Sequence, residues 1–388
     1  MKRRNFLSLT ATCTGGLLLA PDFLRAFSTQ PLPILNGERL IFIQLHGGND
    51  GLNTFIPYDD ELYRYYRPAI GFSKDSVINK NGGMGFNPNL KGLASIQQNG
   101  DLTVIQNVGY PNPNRSHFRS QEIWETASDS RQYLTNGWLG RYLDLQCAGH
   151  QATAGVNIDS VDTLSLKGER PNSITLKNVN QFKARNEIIP EYKLSGNPQL
   201  DFVRKIAATV VEGSEEIQNA LDNSKDEISY PKSELGNKLK WISRLIKGDL
   251  TTRVYYTSLG GFDTHNNQLG IQKNKLQELD EALYAIYEDL KKSGLLATTT
   301  MVVFSEFGRR VKDNGSGTDH GTAAPMFIVG GNNKGKIVGG NPDLSNLDRG
   351  DLIYKIDFRS VYASLLKYKM NFDPGKIGIM QTTMAGLF

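Results

Sequence analysis

The sequence is poor in cysteine, in histidine and in long apolar runs, and each shortage excludes something. Cys13 and Cys147 are its only cysteines. Cys13 falls in an N-terminal stretch that reads as a removable leader, so the mature chain keeps one thiol. It cannot form an internal disulfide, and its fold must be held by its core. The apolar stretch over residues 7–20 is broken by Thr and Gly and is too short and too polar to span a bilayer. An excess of charge of one sign is missing too. The 44 Lys and Arg face 40 Asp and Glu, and without residues 1–28 the balance is 40 against 39. A mature net charge of +1 leaves no basic footprint for a nucleic acid.

What is present begins with the leader. MKRRNFLSLT carries the pattern R-R-x-F-L, the mark of a twin-arginine export signal, with Ala26-Phe27-Ser28 as the best cleavage site. The expectation is a signal over 1–28, read by the twin-arginine translocase. A single domain over 29–388 follows, periplasmic or secreted, with no stable membrane anchor after cleavage.

Short buried-looking runs alternate with helical patterns. Residues 39–45 (RLIFIQL), 101–108, 252–257, 299–304 and 326–329 are continuous β-branched and aromatic runs, as expected of strands in a parallel sheet covered on both faces. Helical spacing relates Phe202, Ile206, Val210 and Ile217. It also relates Leu235, Leu239, Ile242 and Leu245, then Leu276, Leu279, Leu283, Ile286 and Leu290, and finally Val361, Leu365 and Leu366. The alternation predicts an α/β fold: a doubly wound, mainly parallel sheet with helices on both faces. Residues near 60–100 and 145–200 are rich in Gly, Asn and Pro and read as loop insertions.

In such sheets chemistry gathers beyond the carboxyl ends of the strands. After the first run comes His46-Gly47-Gly48-Asn49-Asp50-Gly51, where His46 and Asp50 are candidate ligands and a plain glycine-rich turn is the structural alternative. After the second comes Asn114-Arg115-Ser116-His117-Phe118. Ser116 there is either a nucleophile at a helix N-terminus or an ordinary capping serine. The third is followed by Gly261-Phe262-Asp263-Thr264-His265, a carboxylate and an imidazole two residues apart. The fourth is followed by Ser305-Glu306-Phe307-Gly308-Arg309: Glu306 is a candidate ligand or a buried ion-pair partner, and Arg309 can hold an anion bidentately. Asp319 and His320 precede the fifth run. Four of the five histidines thus fall in loops at strand ends, which scattered surface histidines would seldom do.

As an ordered set, LHGGNDGLN, NRSHF, GGFDTH, FSEFGR and GTDHG resemble the alkaline-phosphatase and sulfatase superfamily. More narrowly, they resemble its branch of twin-arginine-exported proteins of unknown function. The resemblance spans nearly the whole mature chain. It implies a metal site at Asp263, His265 and His320, the last ahead of Pro325, with Asp319 orienting His320. It also implies a second site near Asp50, Ser116 and Glu306. Phe307 stands there where the superfamily has a histidine, so that site lacks a ligand unless His46 or His117 takes its place. A formylglycine enzyme is not implied, since Cys147-Ala148-Gly149-His150 lacks the Pro and Arg that would follow. The function so implied is an exported, metal-dependent (Zn, Mn or Ca) hydrolase of phosphate or sulfate esters, with an anionic small-molecule or glycan ester as substrate. Ser116 would be its nucleophile and Arg309 its anion clamp. The alternative is a non-catalytic exported protein of the same fold that binds a glycan or a cell-envelope partner.

Overall fold

The computed structural model describes residues 37–147, 151–177 and 213–388. The leader, His150 and the 202–210 part of one expected helix lie outside the described residues. Among the described residues, nine strands form the central sheet. Strand β1 (Arg39–Leu45) lies near its middle, with helix α1 (Lys91–Gln98), β2 (Leu102–Gly109), α2 (His117–Thr126) and α3 (Trp138–Gln146) following in the chain. Then come β3 (Gly155–Asn157), β4 (Ser173–Thr175), α4 (Glu234–Lys247), β5 (Val254–Leu259), α5 (Gln268–Lys292), β6 (Thr299–Ser305) and β7 (Ala324–Gly330). The chain ends through β8 (Ile337–Val338), a hairpin of β9 (Leu347–Asp348) and β10 (Asp351–Leu352), then β11 (Ile356–Asp357) and α6 (Phe358–Tyr368). The sheet order is β8-β2-β7-β6-β1-β5-β3-β4, with β11 also on β2.

All seven residues of β1 are buried, and its five apolar side chains alternate between two cores, with Arg39 and Gln44 as its buried polar members. Ile41, Ile43 and Leu45 face a core built with α1, α4 and α5. Leu40 and Phe42 face the opposite core, built with α2, α3 and α6. A strand covered on both sides reads as a mainly apolar run, and its two polar residues are bonded, Arg39 to Gly37 O and Gln44 to the Tyr256 hydroxyl. In the second core Phe42 meets Trp138 edge-on at 5.5 Å, and Trp138 stacks on Tyr362 at 4.2 Å. Among the described residues no helix is long and apolar enough to cross a membrane.

One strand departs from the sequence expectation. Strand β7, containing Met326–Val329 of the last apolar run, pairs antiparallel with both β6 and β2, whereas β1, β5 and β6 run parallel. Apolarity reports burial and carries no sign of direction, so the run alone could not show the reversal. Its consequence is positional. Leu45, Leu259 and Ser305 end their strands in register, and the reversed β7 begins at that same edge. The residues preceding β7 therefore meet the residues following β1, β5 and β6. Pro325 sits where the β7–β2 register shifts, an irregularity that spares the ladder the missing proline N–H.

Truncating Phe42 to Ala should remove the hub of the aromatic core and lower unfolding free energy by about 3–5 kcal/mol, measured by urea denaturation. A loss under 1 kcal/mol would show that the cluster repacks around the gap.

Candidate metal centre

Arg309 ties together the loops at the sheet edge. Its side chain is fully buried. Nε donates to Gly48 O at 2.7 Å and Nη1 to Thr318 O at 2.9 Å. Nη2 donates to Gly47 O at 2.6 Å, Phe262 O at 2.9 Å and Asp263 Oδ1 at 2.6 Å. The glycines make this approach feasible. At Gly47 (φ +116°) a Cβ would lie 2.3 Å from Asp263 N, and at Gly48 (φ +73°) 2.3 Å from the Phe307 ring. The sequence suggests an anion clamp at Arg309, whereas in the structure its donors face protein acceptors.

Three imidazoles converge beside that clamp. His320 Nε2 lies 3.0 Å from His117 Nε2 and 3.1 Å from His265 Nε2. Asp263 Oδ1 is 2.9 Å from His265 Nε2 and 3.2 Å from His320 Nε2, and Oδ2 is 3.5 Å from His117 Nε2. Each ring's other nitrogen faces an acceptor. His117 Nδ1 is 2.9 Å from Glu306 Oε1, His265 Nδ1 is 3.0 Å from Asp319 Oδ1, and His320 Nδ1 is 2.8 Å from Arg115 O.

Those three acceptors assign the protons to Nδ1 and turn the Nε2 lone pairs toward one another and toward the Asp263 carboxylate. Lone pairs at such separations repel unless a cation lies among them. Metal-bound histidines typically have the other N–H held by a carboxylate or carbonyl. Ligand atoms about 2.0–2.1 Å from a tetrahedral zinc stand roughly 3.3–3.4 Å apart, close to the separations here. The donor set therefore fits a divalent cation. His117, Asp263 and His320 supply ligand atoms all within 4.8 Å of one another, and His265 adjoins two of them. Burial would raise the Asp263 carboxyl, but the Arg309 guanidinium overrides it and holds the group down to about 2. A hydrogen bond to Glu306 raises the His117 imidazole above its ordinary value.

The sequence candidates thus separate. Asp263, His265 and His320 come together. His117, noted in the sequence only as a substitute for a missing ligand, joins them, and its sole sequence signal was a strand-end loop. Glu306 lies 2.9 Å from His117 Nδ1 and accepts Gly47 N–H at 2.9 Å, so its carboxylate faces a histidine from behind and does not join the converging Nε2 atoms. Asp319 orients His265, not His320, whose Nδ1 is already taken by the Arg115 carbonyl. His46 stands apart, with Nδ1 2.7 Å from Gln121 Nε2; burial lowers its pKa. Asp50, a candidate ligand in the sequence, is 1% exposed and bound to Arg67 Nη1 at 2.5 Å and to Gln268. Ser116 is the exposed N-cap residue of α2, and its hydroxyl makes no capping bond.

Residues 99–358 match the model of a family described as protein of unknown function, DUF1501. The chain belongs to that family. The matched stretch holds His117, Asp263, His265, Glu306 and His320, while His46 and Asp50 precede it. No curated protein matches. The fold is similar to the lipoteichoic acid synthase LtaP of Listeria monocytogenes, at 10% identity and TM-score 0.38, over 79% of this chain and 66% of that one. This chain therefore spans just under two thirds of the synthase. The C-terminal periplasmic domain of EcEptC from Escherichia coli aligns at 12% identity and TM-score 0.40, over 89% and 88%. A phosphonate monoester hydrolase of Agrobacterium radiobacter aligns at 11% and 0.37, over 78% and 70%. Scores under 0.5 carry no argument about activity.

Two outcomes follow from this geometry. Arg309→Ala strands four carbonyls and the Asp263 carboxylate without a donor, and should cost about 3–5 kcal/mol in urea denaturation. A fully stable variant would return Arg309 to the role of anion binder. The second concerns Glu125, two turns beyond His117 on α2, which accepts Leu164 N–H at 3.0 Å and Thr163 Oγ1–H at 3.2 Å. Burial pushes its carboxyl up to about 7. A raised folded pKa keeps a proton that the unfolded chain releases, so stability falls as pH rises from about 4.5 to about 7. Glu125→Gln should remove roughly 2–3 kcal/mol of that decline, read as the change in unfolding free energy between pH 4.5 and 8. An unchanged slope would place the charge in solvent.

Proposed function

We propose that the protein is an exported, metal-dependent hydrolase of phosphate or sulfate esters. The observation that carries this is the convergence of three Nε2 atoms on the Asp263 carboxylate at the carboxyl edge of the parallel strands, where α/β sheets place their chemistry. His117, Asp263, His265 and His320 would hold one divalent ion, Zn, Mn or Ca. The ion would supply Lewis acidity, polarising an ester oxygen and making a hydroxyl or water more acidic. Export rests on the Arg3-Arg4 leader.

The chain's own residues supply the rest. Ser116 lies between Arg115, whose carbonyl fixes His320, and the ligand His117, so its backbone is anchored on both sides. Its uncapped, exposed hydroxyl is free to act as nucleophile. In that step Oγ bonds to phosphorus or sulfur, the bond to the alcohol oxygen breaks, and the alcohol departs with the serine proton. Water then hydrolyses the serine ester. The free N–H groups of the first turn of α2 and the helix dipole favour the anionic group. With Asp50 and Glu306 committed elsewhere, the reading is for one metal. Those same commitments favour, as a second reading, a non-catalytic protein with one metal that binds a glycan or envelope partner.

Elemental mass spectrometry of the exported protein should find one metal per chain, lost in His265→Ala/His320→Ala. Ser116→Ala should keep the metal and lose at least roughly a hundredfold in turnover of phosphate or sulfate esters. Full activity in both variants would sink the proposal. Stoichiometric metal with no ester turned over would favour the binding protein.

A further inference from the structure

A cavity of about 460 Å³ shares a wall with the histidine cluster. Its lining includes Tyr110, Arg115, Phe307, Leu352, Tyr354 and Arg349. Phe307 packs on the His117 and His320 rings with centroids 4.9 and 5.0 Å away, and the Arg115 carbonyl is the one that holds His320. A group bound at the cluster therefore has this cavity beside it, with a volume in the range of about 300–1,000 Å³ usual for small-molecule sites.

The cations around it are not equivalent. Arg115 is paired with the buried Asp351, which also faces Arg310 at 3.9 Å. Arg349 is different. Its side chain is 84% exposed, and its Nε is 3.7 Å from Asp348 Oδ1, itself 66% exposed, a contact that contributes little in water. Its backbone is also unusual: φ is +53° at Arg349 and +86° at Gly350, the left-handed pair that a two-residue hairpin turn requires. Asn, Asp or Gly suits the first of those places, and arginine costs about 1 kcal/mol there. Arg310 Nη1 holds the turn by donating to Arg349 O at 2.7 Å. The β9–β10 hairpin thus offers a guanidinium held only by an exposed 3.7 Å pair with Asp348 to the cavity, from a backbone position that disfavours it.

We propose that this cavity receives the organic half of the ester and that Arg349 pairs with a second anionic group on it. The preferred substrate is then a saccharide ester bearing a further phosphate, sulfate or carboxylate. Tyr354 and Ile353 suit the apolar face of a sugar ring, with Tyr110 and Phe307 buried in the wall, while Asn112, Thr322 and Asp348 on the same wall suit its hydroxyls. The inference rests on the ester-hydrolase reading for its chemistry, but binding alone can test it. Asp348 is the one carboxylate on the rim and opposes a second anion.

The test is titration calorimetry of the metal-loaded full chain with glucose 1,6-bisphosphate and with glucose 6-phosphate. Wild type should bind the bisphosphate roughly five- to tenfold tighter. Arg349→Gly should abolish that preference while melting no lower than wild type, because glycine relieves the positive φ. Asp348→Asn should widen it. Equal affinities in wild type, binding of neither sugar, or a preference that survives Arg349→Gly overturns the proposal. Turnover is followed separately: a preference without hydrolysis of either probe keeps this subsite and counts against the hydrolase, while hydrolysis without preference does the reverse.

Discussion

The site hangs on a buried guanidinium. Arg309 bonds the loop after β1, the loop after β5 and the segment before β7, while itself following β6. A cation with no solvent must have acceptors, and removing them one by one leaves a buried charge unpaired. The loops are therefore not independent: each supplies a carbonyl that the others need. Asp263 joins the same set through Oδ1, so the carboxylate that faces the histidines is aimed by the group that binds the loops together. Arg67 does similar work beside it, with Nη1 on Asp50 and Asn53 and its remaining donors on Val311 O and Arg310 O. Two buried guanidinium groups replace the rigidity that glycine-rich loops lack.

The sheet supplies the second constraint. Parallel strands put their following loops at one edge, yet His320 precedes its strand. Reversing β7 resolves this, because only an antiparallel strand can begin where its neighbours end. The reversal also allows β7 to pair with β6 and β2 at once, so the His320 loop is flanked by the β6 loop and by the segment leading to α2. Hence His117 and His320 can meet although 203 residues separate them.

How much of this the sequence shows depends on what kind of fact is asked for. Strand and helix positions were legible because burial on one or both faces leaves a period, as in β1, α4 and α5. That Asp263, His265 and His320 lie together was expected from a carboxylate and imidazoles at strand ends, joined into one set by the family resemblance. Direction was not legible. Glu306 sits at a strand end as a ligand would, but its side chain accepts from Gly47 and faces His117 Nδ1, and no spacing separates a ligand from its support. Asp50 found its partner in Arg67, within residues read as an insertion. Arg309 looked free because the carbonyls that occupy it are main-chain atoms, which a sequence never displays. The β7 reversal was hidden for the same reason, since a buried strand reads alike in both directions.

Charge balance at the cluster follows from these commitments. Glu306 and Asp50 are turned to protein donors, and Asp319 stands behind His265. That leaves Asp263 as the one carboxylate directed at the converging nitrogens, and Arg309 already draws on it. A divalent ion held there by the three imidazoles and this single shared carboxylate would keep a net positive charge. The exposure of Asp263 and His265, at 48% and 40% of their side chains, would open that charge to solvent instead of sealing it in a core. A centre meant only to brace the fold gains nothing from an exposed, under-neutralised cation. One that must draw in an anionic ester needs both the exposure and the surplus charge.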